Sequence, residues 1–173
     1  MGQDIRSITQ VGTSEVFELQ VARGQIPGHT SLYKFGFNPD VDNALETVWS
    51  QGGLYSYLSS ASVIKISSGS ASDTSTGTGA RTVSLSGLDA DYNEISEVVT
   101  LNGQTAVSTV NSFLRLNKAT VETAGSGGQN AGVIYGGTGT VTTGVPANIY
   151  LSIAISDNQT LMSLWTVPAN HTA

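Results

Sequence analysis

A succession of short apolar runs between residues 82 and 125 constrains this chain more than any other feature. The runs are rich in β-branched residues, and turn-forming residues separate them at roughly eight- to twelve-residue intervals. Val83 and Leu85 alternate with hydroxyl-bearing neighbours, so one face of that run can be buried while the other faces water. This spacing predicts successive antiparallel strands of a sandwich or barrel.

Two polar connections within this region predict its turns. Asp89, Asp91 and Asn93 crowd the first connection, where short polar side chains hydrogen-bond their own backbone. The dipeptide Asn102-Gly103 is the strongest hairpin signal, because both central positions of a type I′ turn need a positive φ. The chain is therefore expected to return antiparallel after Gly103 and to continue as a meander.

Alternating or continuous apolar residues predict further strands on both sides of this region. These strands are residues 16–23, 32–37, 63–67, 133–135, 149–156 and 161–167. The best buried of them is expected to be an interior strand that carries Ile149, Leu151, Ile153 and Ile155 on one face. One helical segment is predicted, at residues 42–49. The whole pattern predicts an all-β antiparallel sandwich, jelly-roll or immunoglobulin-like, with an extended N-terminal region.

Composition divides the chain into three predicted regions. Residues 1–67 are expected to form an N-terminal region of arm and strands that engages a partner or a shell. Residues 68–79 contain no apolar residue larger than alanine, which predicts a polar linker or loop that buries nothing useful. Residues 80–173 are expected to form the sandwich, and a turn so close to Ala173 indicates that the protein continues beyond it.

Charge and composition argue against several classes of function. A net charge of −6 and a pI near 4.6 are opposite to the basic surface that nucleic-acid binding needs. Charged residues make up 12%, about half the usual share, and a neutral surface suits a subunit packed into an assembly. No apolar run approaches the ~20 residues of a membrane span or forms the core of a signal peptide. The absence of cysteine excludes disulfides and thiolate metal sites.

No residue pattern predicts catalysis. A hydrolytic triad needs a histidine held by a carboxylate beside a serine, whereas His29 and His171 stand in predicted loops outside any such motif. Their expected role is hydrogen bonding to backbone or solvent. No enzymatic activity and no cofactor are therefore expected, although a glycan-degrading enzyme that uses two carboxylates stays open as an alternative class.

The weak candidates for a metal site are Asp89, Asp91 and Asn93, because calcium prefers oxygen ligands from alternating loop positions. The segment begins like an EF-hand loop. Its sixth position is Glu94 instead of glycine, however, and its twelfth is Thr100 instead of glutamate. Turn formation without a bound metal is the preferred interpretation.

Residues 14–53, 78–125 and 158–173, taken together, resemble virion structural proteins of tailed bacteriophages, notably phages of marine bacteria. The most specific parts of the resemblance are KFGFNPDVD, residues 34–42, and the segment 87–103. In that family the pattern Thr-Val-Pro-Ala, here at 166–169, leads into further strands. The resemblance implies a component of the particle, and it carries over no catalytic residue.

The leading prediction is a non-enzymatic virion structural protein, most specifically a capsid decoration (cement) protein on the head surface. Alternatives are a neck, head-fibre or tail-fibre component, or a receptor- or carbohydrate-binding module of the particle. In such a module, a sugar-stacking platform would use Trp49, Tyr55, Tyr57 or Trp165. The expected location is the virion, assembled in the host bacterial cytoplasm, without nucleic acid or membrane as partners.

Strongly apolar faces in the N-terminal third predict contacts with other chains. The expected partners are further copies of this chain, with a trimer favoured, and the major capsid protein or other virion proteins. The candidate partner-binding residues are Phe17, Leu19, Val21, Tyr33, Phe35, Phe37 and Trp49. The alternative is that these faces fold back onto the chain's own sheet.

Overall fold

A computed structural model describes residues 15–172 of the chain. That range forms one short helix and seven strands: α1 (Phe17–Ala22), β1 (Ser62–Ser68), β2 (Ala80–Leu88), β3 (Glu94–Thr100), β4 (Val107–Phe113), β5 (Arg115–Ala124), β6 (Ile134–Thr142) and β7 (Val145–Ile153). The chain divides between Tyr33 and Lys34 into two compact units. Residues 1–14, the beginning of the predicted N-terminal region, lie outside the described residues.

The unit that begins at Lys34 is an antiparallel β-sandwich, which confirms the predicted fold class. One sheet has the strand order β4-β1-β6-β7 and the other has the order β3-β2-β5. Both sheets contribute to one apolar core, and the predicted alternation on β2 holds, because Val83 and Leu85 are fully buried. Burial of each such side chain contributes about 1.5–3 kcal/mol, and this is the main force that holds the two sheets together.

The strand connections differ from the predicted meander. β2 and β3 form a hairpin, but β4 then pairs with β1 in the other sheet, and β5 returns to pair with β2. The Asn102-Gly103 turn therefore carries the chain from one sheet to the other and does not close a hairpin. A two-residue turn of the expected I′ kind, with positive φ at both positions, lies instead at Thr143-Gly144 between β6 and β7.

The polar tract of residues 68–79 closes around one buried carboxylate, that of Asp73, which is inaccessible to solvent. Its oxygens accept four hydrogen bonds of 2.5–2.9 Å, from the hydroxyl of Ser68 and the N–H groups of Ala80, Ala131 and Gly132. Gly103 N–H also donates to the Asp73 carbonyl at 2.8 Å, which fixes the turn between the sheets. The expectation that this tract buries nothing useful is wrong, because a hydrogen-bonded carboxylate can occupy a core without an apolar neighbour.

The predicted boundaries at residues 67/68 and 79/80 do not coincide with the division in the structure. β1, placed by prediction in the N-terminal region, pairs with β4 on one side and with β6 on the other, inside the four-stranded sheet. Residues 34–61 also belong to the sandwich unit. The composition shift at residue 68 marks the Asp73 loop and not a domain boundary.

The strand predicted at residues 149–156 is β7, but two of its expected properties are wrong. Leu151 and Ile153 are fully buried and Ile149 is partly buried, as predicted. Ile155 lies in the turn after the strand and is 58% exposed. β7 is also the last strand of its sheet in place of an interior one. Residues 161–167, predicted as a separate strand, are extended with a single isolated bridge, from Met162 to Trp49.

Residues 16–23, predicted as a strand, form helix α1 instead. Phe17 and Val21 are four residues apart, a spacing that fits a helix as well as an alternating strand. The helix ends in a Schellman motif, with Gly24 at a φ of 68° and hydrogen bonds from Gln25 to Gln20 and from Gly24 to Val21. The expectation of an extended face made by Phe17, Leu19 and Val21 is therefore wrong.

The segment predicted as helical, residues 42–49, is irregular. The Asp42 carboxylate accepts a hydrogen bond from Ala44 N at 2.6 Å, and the Asn38 side chain reaches Thr47 O at 3.3 Å. Such side-chain bonds offer the backbone an alternative to the helix. A helix of eight residues would also be too short to form without support from packing.

Candidate partner-binding surface

Residues 34–58, which we call the arm, lie against the C-terminal segment of the same unit. The hydrogen bonds that hold the arm in place include Lys34 Nζ to Asn117 O, Phe37 N to Leu161 O (3.2 Å) and Ser163 N to Val48 O (2.9 Å). Burial lowers the pKa of Lys34, and the charge of Lys118 lowers it further. The arm is thus tied by main-chain and side-chain bonds and not by regular strand pairing.

The C-terminal segment in turn covers the outer edge of β5. Val121 N donates to Asn158 O at 2.7 Å, and Thr160 N donates to Ala119 O at 2.9 Å. An open strand edge invites pairing with other chains, so this segment and the arm together protect that side of the three-stranded sheet. The outward side of the arm is therefore a surface whose backbone is held by the C-terminal segment and β5.

Gly36 sets which side chains of the arm face outward. A Cβ at this position would lie 2.7 Å from both Ser163 N and Val48 O, so the extended backbone must approach its neighbours closely here. Because side chains alternate along an extended chain, Phe35 and Phe37 point to the opposite side. They are 75% and 56% exposed.

Further large apolar side chains of the arm are also exposed. These side chains are Val41, Leu45 and Leu54, and each is more than 60% exposed. We call these three residues, together with Phe35 and Phe37, the apolar row. Asx turns shape the backbone between them, with Asp40 N and Ala44 N donating to the side chains of Asn38 and Asp42. Exposed apolar residues concentrated along one segment are typical of an interaction surface.

The predicted partner-binding residues fall into different environments. Phe35 and Phe37 lie in the apolar row, and Tyr33, the last residue of the first unit, is 71% exposed. Trp49 is 7% exposed, bridges Met162, and donates its indole N–H to Gly52 O at 2.7 Å. The assignment of Trp49 to a partner surface is therefore wrong, because its ring belongs to the core.

The three remaining candidates belong to helix α1. Phe17 and Leu19 are 54% and 41% exposed, whereas Val21 is 9% exposed. The Phe17 ring meets His29 edge-on, with the ring centroids 5.6 Å apart. Val21 is therefore buried, whereas the two residues with which it was grouped as a partner-binding candidate are exposed.

The four rings suggested as a sugar-stacking platform do not share an exposed surface. Trp49 packs edge-on against Tyr55, with centroids 5.0 Å apart, and both belong to the core or its border. The Tyr55 hydroxyl donates to Tyr150 O at 2.9 Å, and burial raises the pKa of this phenol. Tyr57 is half exposed, while Trp165 is partly buried.

The candidate metal ligands form the β2–β3 turn. One carboxylate oxygen of Asp89 accepts the N–H groups of Asp91 (2.8 Å) and Asn93 (2.9 Å), and the other accepts the Asn93 side chain at 3.2 Å. The backbone N–H of Asn93 is the main cause that lowers the pKa of Asp89. The turn predicted at these residues is present. Among residues 15–172, no group of three or more His, Asp or Glu side chains is arranged to hold a metal.

The two histidines hydrogen-bond to their own loops, as predicted. His29 Nδ1 donates to Pro27 O at 3.1 Å and His171 Nδ1 donates to Ala169 O at 2.9 Å.

Within residues 15–172, no helix is long and apolar enough to span a membrane.

Sequence reasoning missed a second surface feature, centred on Arg115. Its guanidinium lies over the Tyr57 ring at 4.9 Å from the centroid and over the Tyr92 ring at 5.8 Å. The residues come from the arm, from the β2–β3 turn and from the start of β5, so no sequence spacing could have shown their proximity.

Comparisons with family models, with curated proteins and with solved structures found no match to this chain. The resemblance to phage virion proteins is therefore a prediction from the residues quoted above.

Proposed function

We propose that this chain is a non-enzymatic structural protein of a tailed-bacteriophage virion, most specifically a capsid decoration protein on the head surface. The observation that carries the proposal is the exposed pair Phe35 and Phe37. Both lie within residues 34–42, one of the two most specific parts of the phage resemblance. The same residues thus give the resemblance and an apolar surface on which a partner can dock.

The size of this pair favours a repeated contact over a single one. Covering two phenyl rings of ~150 Å² each at about 25 cal/mol per Å² contributes ~7 kcal/mol. Association of two proteins costs ~4–15 kcal/mol before any such gain appears as affinity. One copy of the pair would therefore bind weakly, whereas a closed trimer, or many copies on a shell, repeats the contact without leaving an open interface.

The partners in this proposal are further copies of the chain and the major capsid protein. Exposure of Phe35 and Phe37 in the single chain supports contact with another chain over the alternative in which they fold back on their own sheet. A sedimentation measurement of the mass in solution tests the first partner. A trimer is expected, and a monomer at all concentrations would remove this part of the proposal.

Mass spectrometry and cryo-microscopy of purified particles test the function itself. We expect this chain in many copies on the head surface, with density from the shell or a neighbouring copy over Phe35. A few copies at the neck or the tail would favour the alternative of a neck or fibre component. Absence of the chain from particles would contradict the proposal.

A further inference from the structure

We propose that Arg115, Tyr57 and Tyr92 form a binding cleft for an acidic sugar, a pyranose that carries a carboxylate. We call these three residues the arginine clamp. It is distinct from the apolar row, and it extends the function proposed above without depending on it.

The guanidinium of Arg115 is held in a fixed position by its neighbours. Arg115 Nη1 donates to Leu58 O at 3.0 Å and to Leu114 O at 2.8 Å, which uses both of its N–H groups. The rings of Tyr57 and Tyr92 are stacked with the same group. The guanidinium is therefore held in place before any ligand arrives, which reduces the entropy lost on binding.

The unused edge of this guanidinium fits a carboxylate. With Nη1 engaged, the N–H groups of Nε and Nη2 remain, and they form a planar fork that matches two carboxylate oxygens. No Asp or Glu within residues 15–172 forms an ion pair with Arg115. The carboxylate of Asp89, the residue directly after β2, is occupied by the N–H groups of its own turn. The charge of Arg115 is thus left for an external anion.

The tyrosines favour a sugar as the carrier of that carboxylate. Tyr57 is 50% exposed and Tyr92 is 39% exposed, and neither hydroxyl has a hydrogen-bond partner among residues 15–172. Half-exposed rings present an apolar surface beside a polar tip, which suits the C–H face and the hydroxyl groups of a pyranose. Both rings contact Arg115, and Tyr57 also contacts Tyr55, yet each ring keeps an exposed part. A carboxylate on a flexible acidic peptide would use the fork alone and leave those exposed parts uncovered.

Titration of the isotope-labelled chain with a short oligogalacturonate, followed by NMR, tests the proposal. We expect saturable shifts at Arg115 Nε–H and at the amides of Tyr57 and Tyr92. The methyl-esterified oligomer, which lacks the charge, should bind about 10- to 100-fold more weakly, as expected for loss of one bidentate, charge-assisted contact. Arg115→Lys should have a similar effect, because lysine keeps the charge but lacks the fork.

Arg81→Lys is the matched control, since Arg81 lies near the other end of β2 and its Nε donates to a carbonyl, that of Gly77, at 3.1 Å. This variant should bind as the unmodified chain does. Tyr92→Asn serves as a second test because asparagine tolerates the φ of 63° at this position. It should keep the turn and weaken binding about 2- to 10-fold.

Three results would overturn the acidic-sugar proposal. One is equal binding of the charged and the esterified oligomers, and another is unchanged affinity in Arg115→Lys. The third is binding of poly-glutamate that equals or exceeds binding of the oligogalacturonate, which would assign the clamp to a protein carboxylate. A chain that docks on particles but binds no oligogalacturonate would retain the proposed function and lose only the clamp.

Discussion

Asp73 shows how one residue can organise several loops. Its carboxylate joins the start of the polar tract to β2 and to residues 131–132, and its carbonyl holds the turn at Gly103. Gly79 gives the carboxylate room, because a Cβ there would lie 2.1 Å from Asp73 Oδ1. Buried donors that lose such an acceptor have no water to replace it.

Replacement of Asp73 should therefore destabilise the whole sandwich unit. We expect Asp73→Ala to lower the free energy of unfolding by about 3–5 kcal/mol, because four donors lose their acceptor together. Asp73→Asn should lower it by about 1–3 kcal/mol, since its amide would face at least one N–H donor. Urea unfolding measures both, with Asp157→Asn in an exposed turn as control. A loss below ~0.5 kcal/mol in Asp73→Ala would contradict this role.

Asp89 gives a prediction about pH. Its pKa in the folded chain is lowered, chiefly by the backbone N–H of Asn93. The resulting stability is present above the ordinary aspartate pKa of about 3.9 and is lost as the pH falls through the lower folded value. The melting temperature of Asp89→Ala should therefore lie below that of the unmodified chain near neutral pH, and the two should converge in strong acid.

The control for this measurement is Asp157→Ala, which removes another exposed carboxylate from a turn. Its melting temperature should follow that of the unmodified chain across the same pH range. A difference for Asp89→Ala that grows as the pH falls would show that the carboxylate has the opposite effect.

At the level of elements, two isoleucines at the end of β7 have the same hydrophobicity but different burial. Ile153 is fully buried at the end of the strand, whereas Ile155, two residues later, is 58% exposed. Ile153→Ala should lower the free energy of unfolding by about 2–5 kcal/mol through lost burial and the cavity it leaves. Ile155→Ala should change it by less than about 0.5 kcal/mol. Equal effects in urea unfolding would contradict the position at which β7 ends.

The sequence predicted strands correctly where the alternation of apolar and polar residues fits a strand but not a helix. Val83 and Leu85 lie between polar neighbours, and both are buried as predicted. The prediction of a strand at residues 16–23 is wrong because a six-residue helix and a short strand can both place Phe17 and Val21 on one face. The Schellman stop at Gly24 was the signal that could have distinguished them.

Sheet assignment and the functional surfaces were harder to predict. The hairpin signal at Asn102-Gly103 gave the positive φ of Gly103 correctly, but long-range bonds to the Asp73 loop decided which sheet the next strand joined. The exposed pair Phe35 and Phe37 followed from local alternation. Burial of Trp49 could not be predicted from local alternation, because it depends on Met162, which is more than a hundred residues away in the sequence. Local patterns predict faces, and tertiary contacts determine which faces are covered.

At the level of the whole molecule, the arm covers one side of the sandwich, and the proposed docking surface lies on the outside of that arm. The arm is fixed by hydrogen bonds to residues 161–163 and to β5, so its outward residues are presented on a supported backbone. Such preorganisation lowers the entropy lost on docking. The two proposed contact sites of the unit, the apolar row and the arginine clamp, are separate, one apolar and one charged.

Co-sedimentation of the purified chain with phage heads that lack it tests the central claim most directly. The unmodified chain should bind saturably, and a double variant, Phe35→Ser with Phe37→Ser, should lose at least ~100-fold in affinity, because each lost ring removes more than about 1.4 kcal/mol. Val110→Ser, which alters a 90% exposed apolar residue on β4, should bind normally. Failure of the unmodified chain to bind, or equal binding of the double variant, would contradict the claim that this chain is a virion protein that docks through its arm.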